Sequence, residues 1–219
     1  MSLLQSITFP ALAGTANGFV LRHPELAMNV ERQEALERLA PWHQGHVCDL
    51  GFEPVQMRSA EQVHGDAVAV VDADSPMVSS GADGLITRVP TVILAIYVAD
   101  CAAVYLHDPV QHAIGLVHSG RKGSELGITA RAIEMMNTQF GSSPKDLVIQ
   151  VSPCIRPPAY EVDFAAQIRE QCLDSGILPD NFHDDGICTA RDLSRFYSYR
   201  EERGRTGRML ALFGLKRAC

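Results

Sequence analysis

Two residues invite a chemical reading before any element is placed. Cys101 follows an acid, Asp100, at the end of an apolar run, and His118 closes a second apolar run ahead of the glycine-rich basic loop SGRKG. A thiol and an imidazole brought together support two chemistries. The thiolate beside imidazole is a nucleophile, as in cysteine hydrolases. Alternatively the pair supplies two ligands of a zinc site, whose catalytic form takes three protein ligands and keeps one position open. His64, in the glycine turn EQVHGD before a short strand, is the candidate third ligand. A packed thiol near a core imidazole is the plainer alternative, and the other histidines do not enlarge the cluster. His43 and His46 flank a glycine in what reads as a loop, and His107, His112 and His183 read as turn residues. There is no HxxxH on a helix and no H-x-E…P-C-x-x-C deaminase signature.

The elements that must position these groups are clearest in the middle of the chain. TVILAIYVA (91–99) is a continuous apolar run, as expected of a strand buried on both faces. AAVYLH (102–107) and HAIGLVH (112–118) are strands separated by Asp108 to Gln111, and Asp-Pro starts a turn, so the spacing predicts a β-hairpin. With its turn centred between Pro109 and Val110, Cys101 falls directly opposite His118, Cα atoms about 4.5–5.5 Å apart. A one-residue slip would send the two side chains to different faces. ELGITARAIEMMNTQF (125–140) is an amphipathic helix with Ser124 as its N-cap, ended by Gly141 and Pro144. Residues 25–40 have helical spacing, stopped by Pro41. Strands are predicted over 66–72, after GADG, over 146–153 and in the terminal MLALFGL, and a helix over 161–175.

Composition narrows the class. With 46% hydrophobic and 21% charged residues, 219 residues can bury an ordinary core without disulfide staples. A formal net charge of -7 argues against a general nucleic-acid binder, while local basic loops leave room for small anionic substrates. No apolar stretch reaches the roughly 18 residues of a membrane span, and the start MSLLQSITFPALAG lacks the basic and apolar regions of a signal peptide. Cys48, Cys101, Cys154, Cys172, Cys188 and Cys219 are scattered without a CxxC pair, which leads to the expectation of reduced thiols in a cytoplasmic protein. No repeat or long linker divides the chain, so a single domain over 1–219 is expected.

Seven short motifs then carry a resemblance: QVHG (Gln62 to Gly65), GADGLIT, ADC ending in Cys101, HSGRKG (His118 to Gly123), CT (Cys188, Thr189), SYR (Ser198 to Arg200) and TGR (Thr206 to Arg208). In this order they resemble the laccase-domain family, the multicopper polyphenol oxidoreductases. That family is also described as purine nucleoside phosphorylases with adenosine deaminase activity and as peptidoglycan editing factors. The resemblance runs from about residue 55 to the end. It implies an α/β (α+β) fold of layered mixed sheets flanked by helices, cytotoxic-necrotizing-factor-like or YfiH-like. It also implies a metal held by His64, Cys101 and His118, the trio reached above from the residues alone. The chain departs from the family where HAGWRG becomes HSGRKG, with Arg121 for Trp and Lys122 for Arg. Ala102 and Ala103 follow ADC where a Pro is common, and the N-terminal Asn-Leu-Gly-rich segment is not recognisable.

The leading expectation is a zinc-dependent enzyme acting on purine nucleosides, by phosphorolysis, deamination of adenosine or both. Cys101, His118 and Asp83 are its candidate catalytic groups, and Gln62, Arg121, Lys122, Arg200 and Arg208 its candidates for substrate or phosphate. A phosphate would rest at the start of the 125–140 helix beside Arg121 and Lys122. The loop is no P-loop, because Arg121 stands where Lys-Ser/Thr is needed. Each polar candidate has a structural alternative: Asp83 caps its turn, Arg200 and Arg208 pair with Glu201 and Glu202, and Asp100 orients a ligand or simply ends its strand. The rivals are a copper-dependent polyphenol oxidase, a metal-free Cys-His hydrolase acting on cell-wall precursors, and a non-enzymatic module clipped by zinc with Cys188 as fourth ligand. The expected partners are a small nucleoside and phosphate, with no nucleic acid or membrane, in a monomer or homodimer.

Overall fold

The computed structural model describes residues 5–216. Cys219, counted above among the thiols, and the first four residues lie outside the described residues. In chain order the elements are β1 (Ser6–Ile7), β2 (Thr15–Val20), α1 (Arg32–Asp49), β3 (Met57–Ala60), β4 (Val68–Val70), β5 (Val78–Ser79), β6 (Gly84–Thr87) and β7 (Ile93–Val98). There follow β8 (Ala102–Asp108), β9 (Ala113–Ser119), α2 (Arg121–Glu125), α3 (Ile128–Phe140), β10 (Val148–Val151), α4 (Phe164–Asp174), β11 (Phe182–Asp184) and β12 (Met209–Leu215). The strands form two mixed six-stranded sheets, one ordered β1-β2-β12-β7-β3-β5 and the other β11-β10-β8-β9-β6-β4.

Alternation along the strands explains the layers. In β7, Leu94, Ile96 and Val98 face the second sheet, while Ile93 and Ala95 face outward with Leu210 and Leu212 of β12 beneath Val47 of α1. In β8, Ala103 and Tyr105 face the first sheet, while Ala102, Val104 and Leu106 pack under α3 and α4 through Ile133, Met136, Phe164 and Ile168. The order is therefore helix, sheet, sheet, helices, as the layered α/β expectation requires. A continuous apolar strand such as β7 has no other place to go, since each fully buried Leu or Ile side chain contributes about 1.5–3 kcal/mol.

Four local expectations are corrected. First, α1 does not stop at Pro41, which lies inside it. Proline removes one backbone donor, yet Ala35, Leu39, His43, His46 and Val47 form one continuous buried stripe that carries the helix on to Asp49. His43 and His46 are thus helical and buried. Second, the helix expected over 125–140 begins at Ile128, and Glu125 instead ends a separate short helix, α2. Gly127 adopts φ 77°, a left-handed conformation that suits glycine, and separates α2 from α3. Ser124 ends up in α2, its hydroxyl 2.8 Å from that of Ser119, and does not cap α3. Third, His107 and His183 lie on β8 and β11; only His112 is a turn residue, with φ 51°.

Fourth, the hairpin register differs by two residues. Ala103, not Cys101, pairs with His118, and Asp108 pairs with Ala113. The Asp108 carboxylate accepts from the N–H groups of Val110 and Gln111, which keeps Asp108 in the ladder and moves the turn to residues 109–112. A two-residue shift preserves the face. Cys101, just before β8, therefore still lies on the same side of the sheet as His118, diagonally across from it.

Candidate metal centre

Three chain segments converge where the two sheets meet. His64 lies in the crossing from β3 to β4, Cys101 in the crossing from β7 to β8, and His118 near the end of β9. Both crossings leave the first sheet and enter the second, so both must turn sharply. Their backbones show it: Gln62, His64 and Asp100 have φ of 65°, 62° and 81°. Non-glycine residues there cost about 1–3 kcal/mol each and persist only where surrounding contacts hold them.

Two carboxylates do the holding. Asp83, fully buried ahead of β6, accepts from the backbone N–H groups of Val63, His64 and Gly65 at 3.1, 2.9 and 2.8 Å. The same carboxylate meets Nδ1 of His118 at 2.8 Å. Burial works against its charge, but the bonds from His118, Gly65 and His64 keep its pKa below the ordinary carboxylate value. Asp100 accepts from the hydroxyls of Thr189 and Ser198 at 2.7 and 3.0 Å and from the Arg200 N–H at 2.8 Å. It thereby fastens the CT and SYR motifs beside Cys101. Gln62 adds a third brace, its amide bridging the backbone N–H and carbonyl of Tyr97 at 3.0 and 2.6 Å.

The Asp83 bond fixes the His118 tautomer, so Nδ1–H donates to the carboxylate and Nε2 is left for the cavity side. The rings of His64 and His118 stand 4.8 Å apart, nearly perpendicular at 77°. Burial alone would raise the Cys101 thiol. The charge of His118 and hydrogen bonds from both histidines outweigh it and bring the thiol down to about 6. His118 moves the other way, to about 9: burial opposes its charge, but the Cys101 thiolate and Asp83 favour it. The pair is poised as thiolate and imidazolium. Gly120 leaves room for this sulfur, because a Cβ there would lie 2.4 Å from Sγ.

One donor atom from each of His64, Cys101 and His118 lies within 4.8 Å of the others. Tetrahedral zinc with two nitrogen ligands and one sulfur needs them about 3.5 Å apart, and the exposed His64 ring can supply that small closure. A carboxylate-oriented imidazole, a lowered thiol and a second imidazole form a donor set that fits a transition-metal ion.

His64, Cys101 and His118 line a cavity of about 740 Å³. Gln62, Arg121, Arg200 and Arg208 also line it; Lys122 is exposed and outside that lining, and Asp83 lies behind it. Tyr97, Tyr160 and Phe164 contribute aromatic walls that no local motif announced, and Tyr199 of the SYR motif adds a fourth. Arg200 pairs with Glu161, while Glu202 is taken by Arg22, so the ion pairs expected with Glu201 and Glu202 do not form. Cys188 packs in the core under α4 as a free thiol, its backbone forming an isolated parallel β-bridge with that of Cys154, and it is not among the side chains gathered with the trio.

Fold and site together define a double-sheet protein whose cavity is walled by a His-Cys-His cluster able to hold a metal ion. The chain belongs to the multi-copper polyphenol oxidoreductase laccase family, which matches residues 23–166 and 162–216. A purine nucleoside phosphorylase of Deinococcus radiodurans is 33% identical over 97% of this chain and 91% of that protein. Purine nucleoside phosphorylase YlmD of Bacillus subtilis is 28% identical over 62% of this chain, an alignment spanning 59% of the relative. The crystal structure of YlmD from Geobacillus stearothermophilus superposes with a TM-score of 0.83 at 26% identity, covering 95% of this chain and 94% of that one. No helix among the described residues is long and apolar enough to cross a membrane.

Proposed function

We propose that the protein is a zinc-dependent enzyme that cleaves purine nucleosides by phosphorolysis, with the metal held by His64, Cys101 and His118. The observation that carries this reading is the Cys101 sulfur and the Asp83-oriented His118 imidazole on the wall of the 740 Å³ cavity. The names of the relatives supply the substrate class. When bound, zinc supplies Lewis acidity next to the substrate. Three protein ligands with one open side favour zinc over the multi-histidine arrangement of copper oxidases.

The chain's own groups have the following roles. Asp83 positions His118 and the His64 turn. Asp100 and Gln62 hold the backbone on either side. Tyr160 and Phe164, edge to face at 71°, offer aromatic surface against which a purine can pack. Arg121, Arg200 and Arg208 make the cavity cationic, and Lys122 adds only long-range field from outside the lining. In the reaction a phosphate oxygen forms the bond to the anomeric carbon as the bond to the purine nitrogen breaks. The purine keeps that electron pair and takes up a proton. Arginine donors match the phosphate oxygens as they approach.

The test is adenosine turnover, with and without phosphate, by protein of measured metal content. Adenine appearing only with phosphate, and lost together with zinc in Cys101→Ala, is the expected result. Inosine would assign deamination to the same centre. Turnover surviving complete chelation would reject the metal, and untouched adenosine with stoichiometric zinc would reject the substrate.

A further inference from the structure

The arginines lining the cavity fall into two sets. Arg121 is held by Glu125 at 2.9 Å, and Arg200 by Glu161. Arg32, Arg203 and Arg208 form no ion pair among the described residues. The two acids of the cavity wall are committed elsewhere: Glu31 pairs with Arg205 at 2.9 Å, and Asp100 is filled by Thr189, Ser198 and the Arg200 backbone.

Arg208 is the informative member. It is only 8% exposed, and its Nη1 donates to the carbonyls of Thr206 and Gly207 at 2.9 and 2.8 Å. Those carbonyls orient the guanidinium without neutralising it. Burial first, and the nearby charge of Arg32 second, hold its pKa below the ordinary arginine value. A buried cation facing a second cation is a costly arrangement unless an anion joins them. Arg32 adds to the cost. It opens the 18-residue helix α1, where a positive side chain meets the positive end of the helix dipole. The N-cap, Glu31, supplies no side-chain bond to that end, and Glu34, the acid of the first turn, is taken by Arg38. Arg32, Arg208 and the start of α1 therefore gather positive charge around one side of the cavity, offset in part at Arg208 by the charges of Cys101 and Asp100 and at Arg32 by the Glu61 carbonyl, which accepts from its Nη2 at 3.2 Å.

We propose that Arg32 and Arg208 bind a phosphoryl oxyanion there, with Arg203 at the rim. Arg32 belongs to α1 and Arg208 directly precedes β12, so neither comes from the Arg121–Lys122 loop. The chemistry fits inorganic phosphate or the phosphate of a nucleotide equally, since a guanidinium fork reads the same oxygens in both. The inference deepens the phosphorolysis reading and rests on it for the role of the anion. Binding is measured without turnover, so the two can fail separately.

The experiment is calorimetric titration of purified protein with inorganic phosphate, adenosine and adenosine 5′-monophosphate, comparing wild type, Arg32→Gln, Arg208→Lys and the control Arg131→Gln. The Arg32 side chain is exposed, so its variant keeps the test valid if the buried Arg208 variant misfolds. Phosphate binding that weakens about tenfold or more in Arg32→Gln, but not in the control, identifies free phosphate as the ligand. Monophosphate binding tighter than adenosine, lost in Arg32→Gln while inorganic phosphate does not bind, identifies a phosphorylated substrate. No binding of either anion by wild type at millimolar concentration overturns the site, as does equal binding by wild type and Arg32→Gln. Anion binding in a protein that never cleaves nucleosides leaves the site standing and removes the reaction.

Discussion

Asp83→Asn exchanges one buried acceptor for a donor at the centre of the site. Oδ1 of Asp83 serves His118 and His64, and Oδ2 serves Val63 and Gly65. An amide keeps one oxygen, so two donors lose their acceptor whichever way it turns. Leaving a buried donor unmet costs about 1–3 kcal/mol. The Val63–Gly65 turn is partly open to water, so the amide will keep its oxygen on His118 and strand that turn, for a cost of about 2 kcal/mol. That is a large share of a typical total stability of about 5–15 kcal/mol, yet it leaves the protein folded. The larger effect falls on the metal. His118 loses its charged partner and the turn carrying His64 loses its anchor, and removal of such a supporting carboxylate lowers metal affinity by about 10–100-fold. Zinc affinity would be read by competition with a chromogenic chelator, and stability by urea unfolding of metal-free protein. A folded variant with zinc affinity within about threefold of wild type would refute the view that Asp83 organises the ligands. Unchanged urea stability would refute the hydrogen-bond count itself.

Gly120→Ala should leave the fold intact but force the Cys101 sulfur away from a Cβ 2.4 Å distant; zinc stoichiometry below that of wild type is expected, and full occupancy would contradict the close approach. In metal-free protein the thiol at about 6 predicts that Cys101 alkylation stays fast as pH falls toward 6. A midpoint near about 8.5, the value of an ordinary thiol, would remove the ion pair with His118. His43 is buried and brought down from 6.5 to about 3, chiefly by desolvation. It stays neutral in the fold while the unfolded chain takes up its proton, so stability falls as pH drops below 6.5, by about 2 kcal/mol between pH 8 and pH 5. The urea midpoints of wild type and His43→Gln should converge over that interval; parallel pH slopes would assign the loss to other groups.

The gathering of His64, Cys101 and His118 was legible in the sequence because residue chemistry and motif order both pointed to these three side chains. Strand alternation puts Cys101 and His118 on one face for any even register shift, so the two-residue error in the turn did not disturb the site. The same rule would have separated them under a one-residue error. The elements that misled were those decided by tertiary contact. Pro41 stops an isolated helix, but the buried stripe through His43 and Val47 continues it. Ser124 has the chemistry of an N-cap, but Gly127 breaks the helix three residues later and Ser119 takes the hydroxyl. Arg32, Tyr97 and Tyr160 reach the cavity from segments outside the motifs, and no local spacing marks such residues. Asp83 was visible as a turn-capping acid between small residues; its bond to His118 depends on the pairing of β6 with β9, which juxtaposes Gly84 and Val117.

The placement of the ligands has a mechanical consequence. His64 and Cys101 both sit where the chain leaves one sheet for the other, and His118 belongs to the second sheet alone. A metal bound to all three therefore ties both crossings to the end of β9. Without it, the crossings are held by Asp83, Asp100 and Gln62 against left-handed backbone at Gln62, His64 and Asp100. Of the five non-glycine residues with positive φ among those described, four line the cavity, Arg203 being the fourth. Concentrated strain of this kind is tolerable only where polar braces over-determine the backbone, and here each brace ends on a group next to a ligand. The cost of shaping the crossings is met by the protein's own braces, which hold the donor atoms of His64, Cys101 and His118 within 4.8 Å of one another.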